Sequence, residues 1–269
     1  MIPDGTPRMD AFSRTALLLG QPAIKRLHAS RVAVFGLGGV GSYVVEALAR
    51  AGVGRFLLVD HDRISVSNLN RQILALHSTL GRLKTEVAAE RVRDINPRAE
   101  VETRALFYLP ETADAIDLAA CDYVVDAVDT VSAKVTLAVC AAEAGVPIVS
   151  CMGAGNKLDP MRFEVADLFA TSVCPLCKVM RREMKARGIR ALRVVYSREP
   201  PLLPASGEDA AYAECRRPTG SVPSVPAAAG LLLAAEVIRS LTDAGDLERM
   251  KRKGRACAPG ESPQHTEGI

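Results

Sequence analysis

The sequence predicts an α/β protein: a Rossmann-like, doubly wound, mostly parallel sheet carrying an antiparallel extension on its C-terminal side. Three observations lead there. Short apolar runs alternate with helix-like segments from Arg31 to about Gly155, the order that builds a parallel sheet. Glycine-rich turns follow the first and fifth of those runs. Aromatic residues make up only 4% of 269 residues and Trp is absent, so Ala, Val, Leu and Ile must fill the core, as they do in parallel sheets under helices.

The elements follow in order. RVAVFG (31–36) is a buried strand ending in glycine, and LGGVGSYVVEALARAG (37–52) has the apolar spacing of a helix closed by Gly52. RFLLVD (55–60) is the second strand. The polar stretch from His61 to Ser78 is too long for a tight connection and is expected to carry function. A helix from about Arg82 to Ile95 must stop before Asn96-Pro97, because the proline ring disfavours helical backbone in the residue before it. AEVETRAL (99–106) is the third strand, CDYVVDAVD (121–129) the fourth, VSAKVTLAVCAAEAG (131–145) a helix, and VPIVSCMGAG (146–155) the fifth strand. Beyond Asn156, RFEVADL and ALRVVYSRE read as strands of an antiparallel extension around a basic helix at about 175–187. A Gly-, Pro- and Ser-rich crossover then leads to a last helix, PAAAGLLLAAEVIRSL (226–241). No internal repeat appears.

Composition narrows the class. At 48% hydrophobic and 24% charged the chain is neither disordered nor fibrous. Its formal charge of +3 neither demands nor forbids a polyanionic partner, so the distribution of charge decides. The first twenty residues lack the charged-then-apolar pattern of a signal peptide, which predicts a cytoplasmic protein with reduced cysteines. The longest apolar run, near Ala227–Ala235, is short of a bilayer span and reads as a buried helix, so no stable membrane insertion is expected.

Gly36, Gly38 and Gly41 form G-x-G-x-x-G between a strand and a helix, where bare backbone lets N–H groups and a helix N-terminus approach phosphate oxygens. Asp60, ending the second strand, is placed to hold ribose hydroxyls. These features serve NAD and ATP equally. The dense polar segment DHDRISVSNLNRQ (60–72) followed by Lys84 separates them, since fixed cations and amide donors suit a triphosphate better than a hydride site. Asp129, at the end of the fourth strand, could hold a magnesium ion bridging phosphates.

GLGGVG, Asp60, SNLNRQ, Lys84 and DAVD together resemble the adenylating domain of the ubiquitin-activating-enzyme-like superfamily, including its bacterial ThiF-type members. The resemblance implies that Gly36, Gly38, Gly39 and Gly41 line the nucleotide and Asp60 holds its ribose. It also implies that Asn68, Arg71 and Lys84 contact phosphates and that Asp129 binds magnesium. Arg14 matches an arginine that reaches into the partner subunit's ATP site, so a homodimer is expected, with Arg14, Arg71, Lys84 and Asp129 as the catalytic set. The implied organisation is a single adenylating domain over 1–245: a nucleotide-binding part at about 25–155, a substrate or dimer part at about 156–245, and a polar tail at 246–269 expected to be disordered.

Carrier-adenylating members commonly hold zinc with two CxxC pairs. This chain has one, Cys174 and Cys177, followed only by single cysteines at 215 and 257, so structural zinc is not expected and the two read as small apolar groups at a helix start. Cys151 reads as core. Between Lys178 and Glu199 eight basic residues face two acidic ones, a charge concentration suited to a phosphate backbone. FSRTALLLG, the RVAVFGLGGVGSYVVEALARAGVG block, GAGNKLDP, the basic helix and VPSVPAAAGLLLAAEVI together resemble the tRNA threonylcarbamoyladenosine dehydratases over about residues 10–240. Members often carry Asp-Pro-Leu-Ala where this chain has Cys174-Pro175-Leu176-Cys177. The implied activity is ATP-dependent cyclisation of threonylcarbamoyladenosine beside the anticodon, with tRNA docked on Arg181, Arg182 and Lys185, cofactors ATP and Mg2+, and a sulfur-transfer protein as a further candidate partner. The alternatives are an adenylase of a ubiquitin-like sulfur carrier, and, from another class, a nicotinamide oxidoreductase or a non-catalytic nucleotide-binding module.

Overall fold

A computed structural model describes residues 10–203 and 219–242; most of the Gly/Pro/Ser-rich crossover, Cys215, Cys257 and the 246–269 tail lie outside the described residues. The chain enters through two helices, α1 (Ser13–Leu19) and α2 (Gln21–Ala29), and then lays down β1 (Arg31–Phe35), α3 (Gly41–Ala51) and β2 (Arg55–Val59). After the long polar connection come α4 (Lys84–Ile95), β3 (Glu100–Arg104), β4 (Tyr123–Asp126), α5 (Val131–Glu143) and β5 (Ile148–Cys151). The last part holds β6 (Phe163–Asp167), α6 (Pro175–Ala186), β7 (Arg193–Ser197) and α7 (Ser224–Leu241).

The strands form one seven-stranded sheet in the order β3-β2-β1-β4-β5-β7-β6. Every pairing is parallel except β6 with β7. The antiparallel extension is therefore one strand wide, because the Arg193 strand continues the parallel sheet beside β5 and only β6 reverses. Parallel strands are buried on both faces, and β1 illustrates it: Val32 and Val34 join the core under α3 and α7, while Ala33 and Phe35 join the core under α5.

Local chemistry sets the boundaries. Gly52 closes α3 in left-handed conformation at φ +94, and Asn96 ends α4 one residue before Pro97. In α7 one face, carrying Val225, Ala229, Leu233 and Val237, is wholly buried. A Cβ at Gly230 would lie 2.4 Å from the Val40 carbonyl oxygen, so glycine is what lets α7 lie close against α3. This helix is long and apolar enough to meet the length and composition test for a membrane span, yet its buried face is part of the core. The entry helices were not expected. α1 buries none of its residues, whereas α2 buries Ala23, Ile24 and Leu27.

Candidate active site

The chain steps outward from β1 to β2 and β3, then returns across β1 to β4 and β5. The connections that leave the paired C-terminal ends of β1 and β4 therefore run in opposite directions, and ligands of such sheets bind in the crevice this opens. A cavity of about 480 Å3 lies there. It is lined by the turn after β1, the polar connection after β2, Val128 and Asp129 after β4, and Gly153–Gly155 after β5.

The glycines of the turn divide into two groups. Gly36 sits at φ +83, and a Cβ there would meet the Ala127 carbonyl oxygen at 2.7 Å. A Cβ at Gly41 would lie 1.7 Å from the Gly36 oxygen, so this glycine permits the strand-to-helix turn itself, and it does not line the cavity. Gly38 is different: a Cβ would meet only the Gln72 amide nitrogen, at 3.8 Å. The protein could accommodate a side chain at Gly38, so its bareness serves whatever fills the cavity. Among the described residues the N–H groups of Gly38, Gly39 and Val40 donate to no protein acceptor, leaving donors for an anion at the start of α3.

Asp60 ties this turn to the next loop. Its Oδ2 accepts the Leu37 N–H at 2.6 Å and its Oδ1 the Asp62 N–H at 2.8 Å. Lys84, buried at the first turn of α4, donates to Asp62 at 2.6 Å and lies 3.9 Å from Asp60. Its ammonium is thus held at the cavity wall by two carboxylates while still facing the cavity. Asn68 is buried and accepts the Ser65 N–H at 3.1 Å, fixing the loop, with its amide at the wall. Arg71 reaches the Ser67 carbonyl at 2.8 Å and the Asn70 side chain at 2.9 Å, which places its guanidinium at the rim.

On the β4 side Asp129 is exposed at the rim and accepts one bond, from the Thr130 hydroxyl at 3.3 Å, which leaves its carboxylate available to a hard cation. Beneath it lies a network the sequence reading did not single out. Lys134 of α5 is buried beside Asp126, donating to both carboxylate oxygens at 3.1 Å and to the Cys151 carbonyl at 2.6 Å. The Ser150 hydroxyl also donates to Asp126, whose Oδ1 accepts the Val128 N–H at 3.1 Å. This network fixes the turn that carries Asp129. Gln72 was also missed. Its buried Oε1 lacks a partner and its residue lines the cavity, so a ligand donor would satisfy it. The signals were available: Lys134 lies eight residues after an aspartate at a strand end, and Gln72 closes the polar segment.

The remaining expected residues lie elsewhere. Arg14 is exposed on α1 and is not part of this chain's cavity. Of the basic group, Arg181 turns inward to donate to the Thr171 carbonyl at 3.0 Å, Arg182 and Arg187 pair with Glu183, and Arg193 and Arg198 pair with Glu236 and Glu164. Much of the local positive charge is thereby balanced within the protein, while Lys178, Lys185 and Arg190 stand exposed. Cys174 and Cys177 are buried together, and no third ligand completes a metal set with them among the described residues.

A twisted parallel sheet, a glycine turn with free N–H groups and a lysine held against two aspartates make a nucleotide-binding α/β site. The chain belongs to the ThiF family, whose model matches residues 12–256. It is 39% identical over 250 residues to the tRNA threonylcarbamoyladenosine dehydratase of Bacillus subtilis (strain 168), covering 90% of this chain and 98% of that protein. Among solved structures it resembles the Escherichia coli tRNA N6-threonylcarbamoyladenosine dehydratase TcdA in complex with ATP, at 31% identity and a TM-score of 0.76, covering 91% of this chain and 96% of that one. The same E. coli enzyme in complex with AMP superposes with a TM-score of 0.78 at 31% identity, over 88% of this chain and 96% of that one.

Proposed function

We propose that this protein uses ATP to activate the carboxylate of threonylcarbamoyladenosine beside a tRNA anticodon and closes it, with loss of water, to the cyclic form. The observation that carries the proposal is the cavity at the switch point, where free backbone donors of the glycine turn face Lys84, Arg71 and Asp129 in a chain similar over nearly its whole length to dehydratases of that name. A carboxylate is a poor electrophile at neutral pH. Transfer of a nucleotidyl group to its oxygen, with pyrophosphate leaving, makes the acyl carbon reactive. A ureido atom of the same substrate then attacks that carbon and the nucleotide leaves, so no enzyme nucleophile is needed.

In this reading the Gly38–Val40 backbone cradles phosphate oxygens and Asp60 holds the ribose. Asn68, Arg71 and Lys84 stabilise charge that develops on the phosphates during transfer. Gly36 shapes the turn, and Gly41 acts through the packing of that turn. Asp129, with its free carboxylate at the rim, would hold Mg2+ through oxygen, and that ion would supply charge neutralisation to the phosphates. Lys134 and Asp126 keep Asp129 in place. Residues 1–245 act as one adenylating domain in a homodimer, with Arg14 of each protomer reaching the partner's site, in a cytoplasmic protein. The exposed part of the basic helix, Arg182 and Lys185, docks the anticodon arm, whose unpaired bases can be splayed out; Arg181 supports that surface by anchoring α6 to Thr171.

The test is mass spectrometry of nucleosides from tRNA that carries threonylcarbamoyladenosine, after incubation with the protein and Mg-ATP. A product lighter by one water, absent without ATP and absent with Asp129→Ala, is the expected result. An unchanged nucleoside with a protein that binds ATP overturns the proposal and directs the search to a carrier protein's C-terminus.

A further inference from the structure

Cys174 and Cys177 are buried together, Cys174 capping the N-terminus of α6 and Cys177 in its first turn. We propose that they form a peroxide-reactive dithiol, oxidised reversibly to a disulfide, whose state sets the backbone of the Gly153–Gly155 cavity wall. The arrangement treats the two sulfurs unequally. The neighbouring Cys177 thiol, helped by the N–H groups of Cys177, Gly153 and Leu176 near the sulfur, outweighs burial and holds the Cys174 thiol below its usual value. Donating to Cys174, together with burial, pushes the Cys177 thiol up. Cys174 is therefore the more readily deprotonated of the two and Cys177 the one that holds its proton, the division of roles that a nucleophilic and a resolving cysteine require.

Three elements converge on the Cys174 sulfur. The turn before α6 places Val173 at φ +63, a strained value for a β-branched residue, with the Cys174 N–H closing on the Ser172 carbonyl at 2.6 Å. The buried Lys157, which donates to the Glu199 carbonyl, brings a positive charge near Cys174. The loop after β5 packs Gly153 against the same sulfur: a Cβ on Gly153 would lie 3.8 Å from it. Gly153 and Leu176 both line the cavity, so two of the residues beside the sulfur belong to its wall. Other cysteines contrast with the pair: burial pushes Cys151 up to about 12 and also raises Cys121, which keeps both as unreactive thiols.

The reaction balances without a metal. The Cys174 thiolate attacks one oxygen of hydrogen peroxide; an S–O bond forms, the O–O bond breaks, and hydroxide leaves to be protonated by solvent. Cys177 then attacks the Cys174 sulfur, the S–S bond forms, and the S–O bond breaks as water departs with the Cys177 proton. Two sulfurs lose two electrons in all, and one peroxide becomes two waters. Side chains three apart on a helix have Cβ atoms roughly 5–6 Å apart, which need only a modest closure to reach the roughly 4 Å of a disulfide. Cys174 is only 3% exposed, so the oxidant that fits is a small neutral molecule and not a protein partner. Once in a disulfide the sulfur is neutral and drawn toward Cys177, and the Gly153 backbone loses the charged neighbour it packs against.

The full chain carries its own test, because cleavage after Arg162 and Lys178 releases a peptide, 163–178, whose only cysteines are this pair. After a limited dose of hydrogen peroxide and alkylation of remaining thiols, that peptide is expected to lose two hydrogens while Cys121, Cys140 and Cys151 are alkylated. Dithiothreitol is expected to reverse the change, and Cys177→Ser to leave a sulfenic acid on Cys174 that dimedone traps. Hydrogen exchange at Gly153 is expected to run about 2- to 10-fold faster in the oxidised protein, as the backbone packed against the sulfur loosens. Oxidation spread equally over all the cysteines, or a disulfide that leaves Gly153 exchange unchanged, overturns the proposal. Neither readout uses nucleotide or tRNA, so this inference fails separately from the reaction proposed above.

Discussion

Replacing Lys134 with methionine removes the cation from one of the most deeply buried ion pairs in the protein. Both side chains are 1% exposed, and the ammonium makes bonds to the two Asp126 oxygens and to the Cys151 carbonyl. Methionine keeps most of the volume, so the loss is electrostatic: Asp126 is left with only the Ser150 hydroxyl and the Val128 N–H. Stranding a buried charge in this way costs about 3–5 kcal/mol. At about 2–4 °C per kcal/mol for a domain of this size, the melting temperature should fall by roughly 6–20 °C. Guanidinium chloride unfolding of wild type, Lys134→Met, Asp126→Leu and the double variant closes a thermodynamic cycle. The double variant should lose less than the two single variants combined, because it strands neither charge. A Lys134→Met protein within about 1 kcal/mol of wild type, or strict additivity in the cycle, would refute the reasoning.

Three further outcomes are expected. Lys84→Ala removes a cation held at the cavity wall and should weaken ATP binding about 10- to 150-fold by calorimetry, the equivalent of about 1.5–3 kcal/mol for a charge-assisted bond; unchanged affinity would place the phosphates elsewhere. Burial alone would raise the Glu46 carboxyl, but the hydrogen bonds from Arg91 and Arg50 outweigh it and hold it below its usual 4.5. A depressed carboxyl stabilises the fold above its unfolded value, and that contribution is lost as pH falls from about 4.5 through the lower folded value. Glu46→Gln should therefore be destabilised by about 1 kcal/mol at pH 7 and converge with wild type in acid, and parallel pH profiles of urea unfolding would contradict the assignment. Arg182→Ala with Lys185→Ala should weaken tRNA binding and flatten its salt dependence by about two phosphate contacts, measured by titration between 50 and 200 mM salt, as expected for phosphate contacts.

The sheet was legible because parallel strands, buried on both faces, appear as continuous apolar runs between glycines. The Arg31, Arg55, Tyr123 and Ile148 strands all lie where such runs occur. What the sequence could not convey depends on packing. Lys134 reads as one more polar residue of a helix until α5 lies over β4 and β5, when it becomes the counter-ion of Asp126. Arg181 reads as surface charge until α6 turns it onto Thr171. α1 was hidden for the opposite reason: it has no fully buried residue and leans on the core only through the partly buried Ala16 and Leu19, so no strong apolar periodicity marks it.

The glycine motif shows most clearly how far a sequence match reaches. Gly36 and Gly41 are required by the protein's own backbone, which would collide with a Cβ at either position, and any fold with this strand–turn–helix would need them whatever it bound. Gly38 meets no such obstacle, and the donors beside it have no protein acceptor among the described residues. The first pair therefore identifies the architecture, and the ligand is encoded by what faces the free donors. That facing surface is Asp60, Asn68, Arg71, Lys84 and Asp129, drawn from the two connections that follow β2 and β4 and brought to one cavity by the reversal of strand order at β1 and β4. A hydride-transfer site has no use for such a concentration of fixed charge, whereas a triphosphate undergoing displacement does, and this separates the nucleotide-activating reading from the oxidoreductase one.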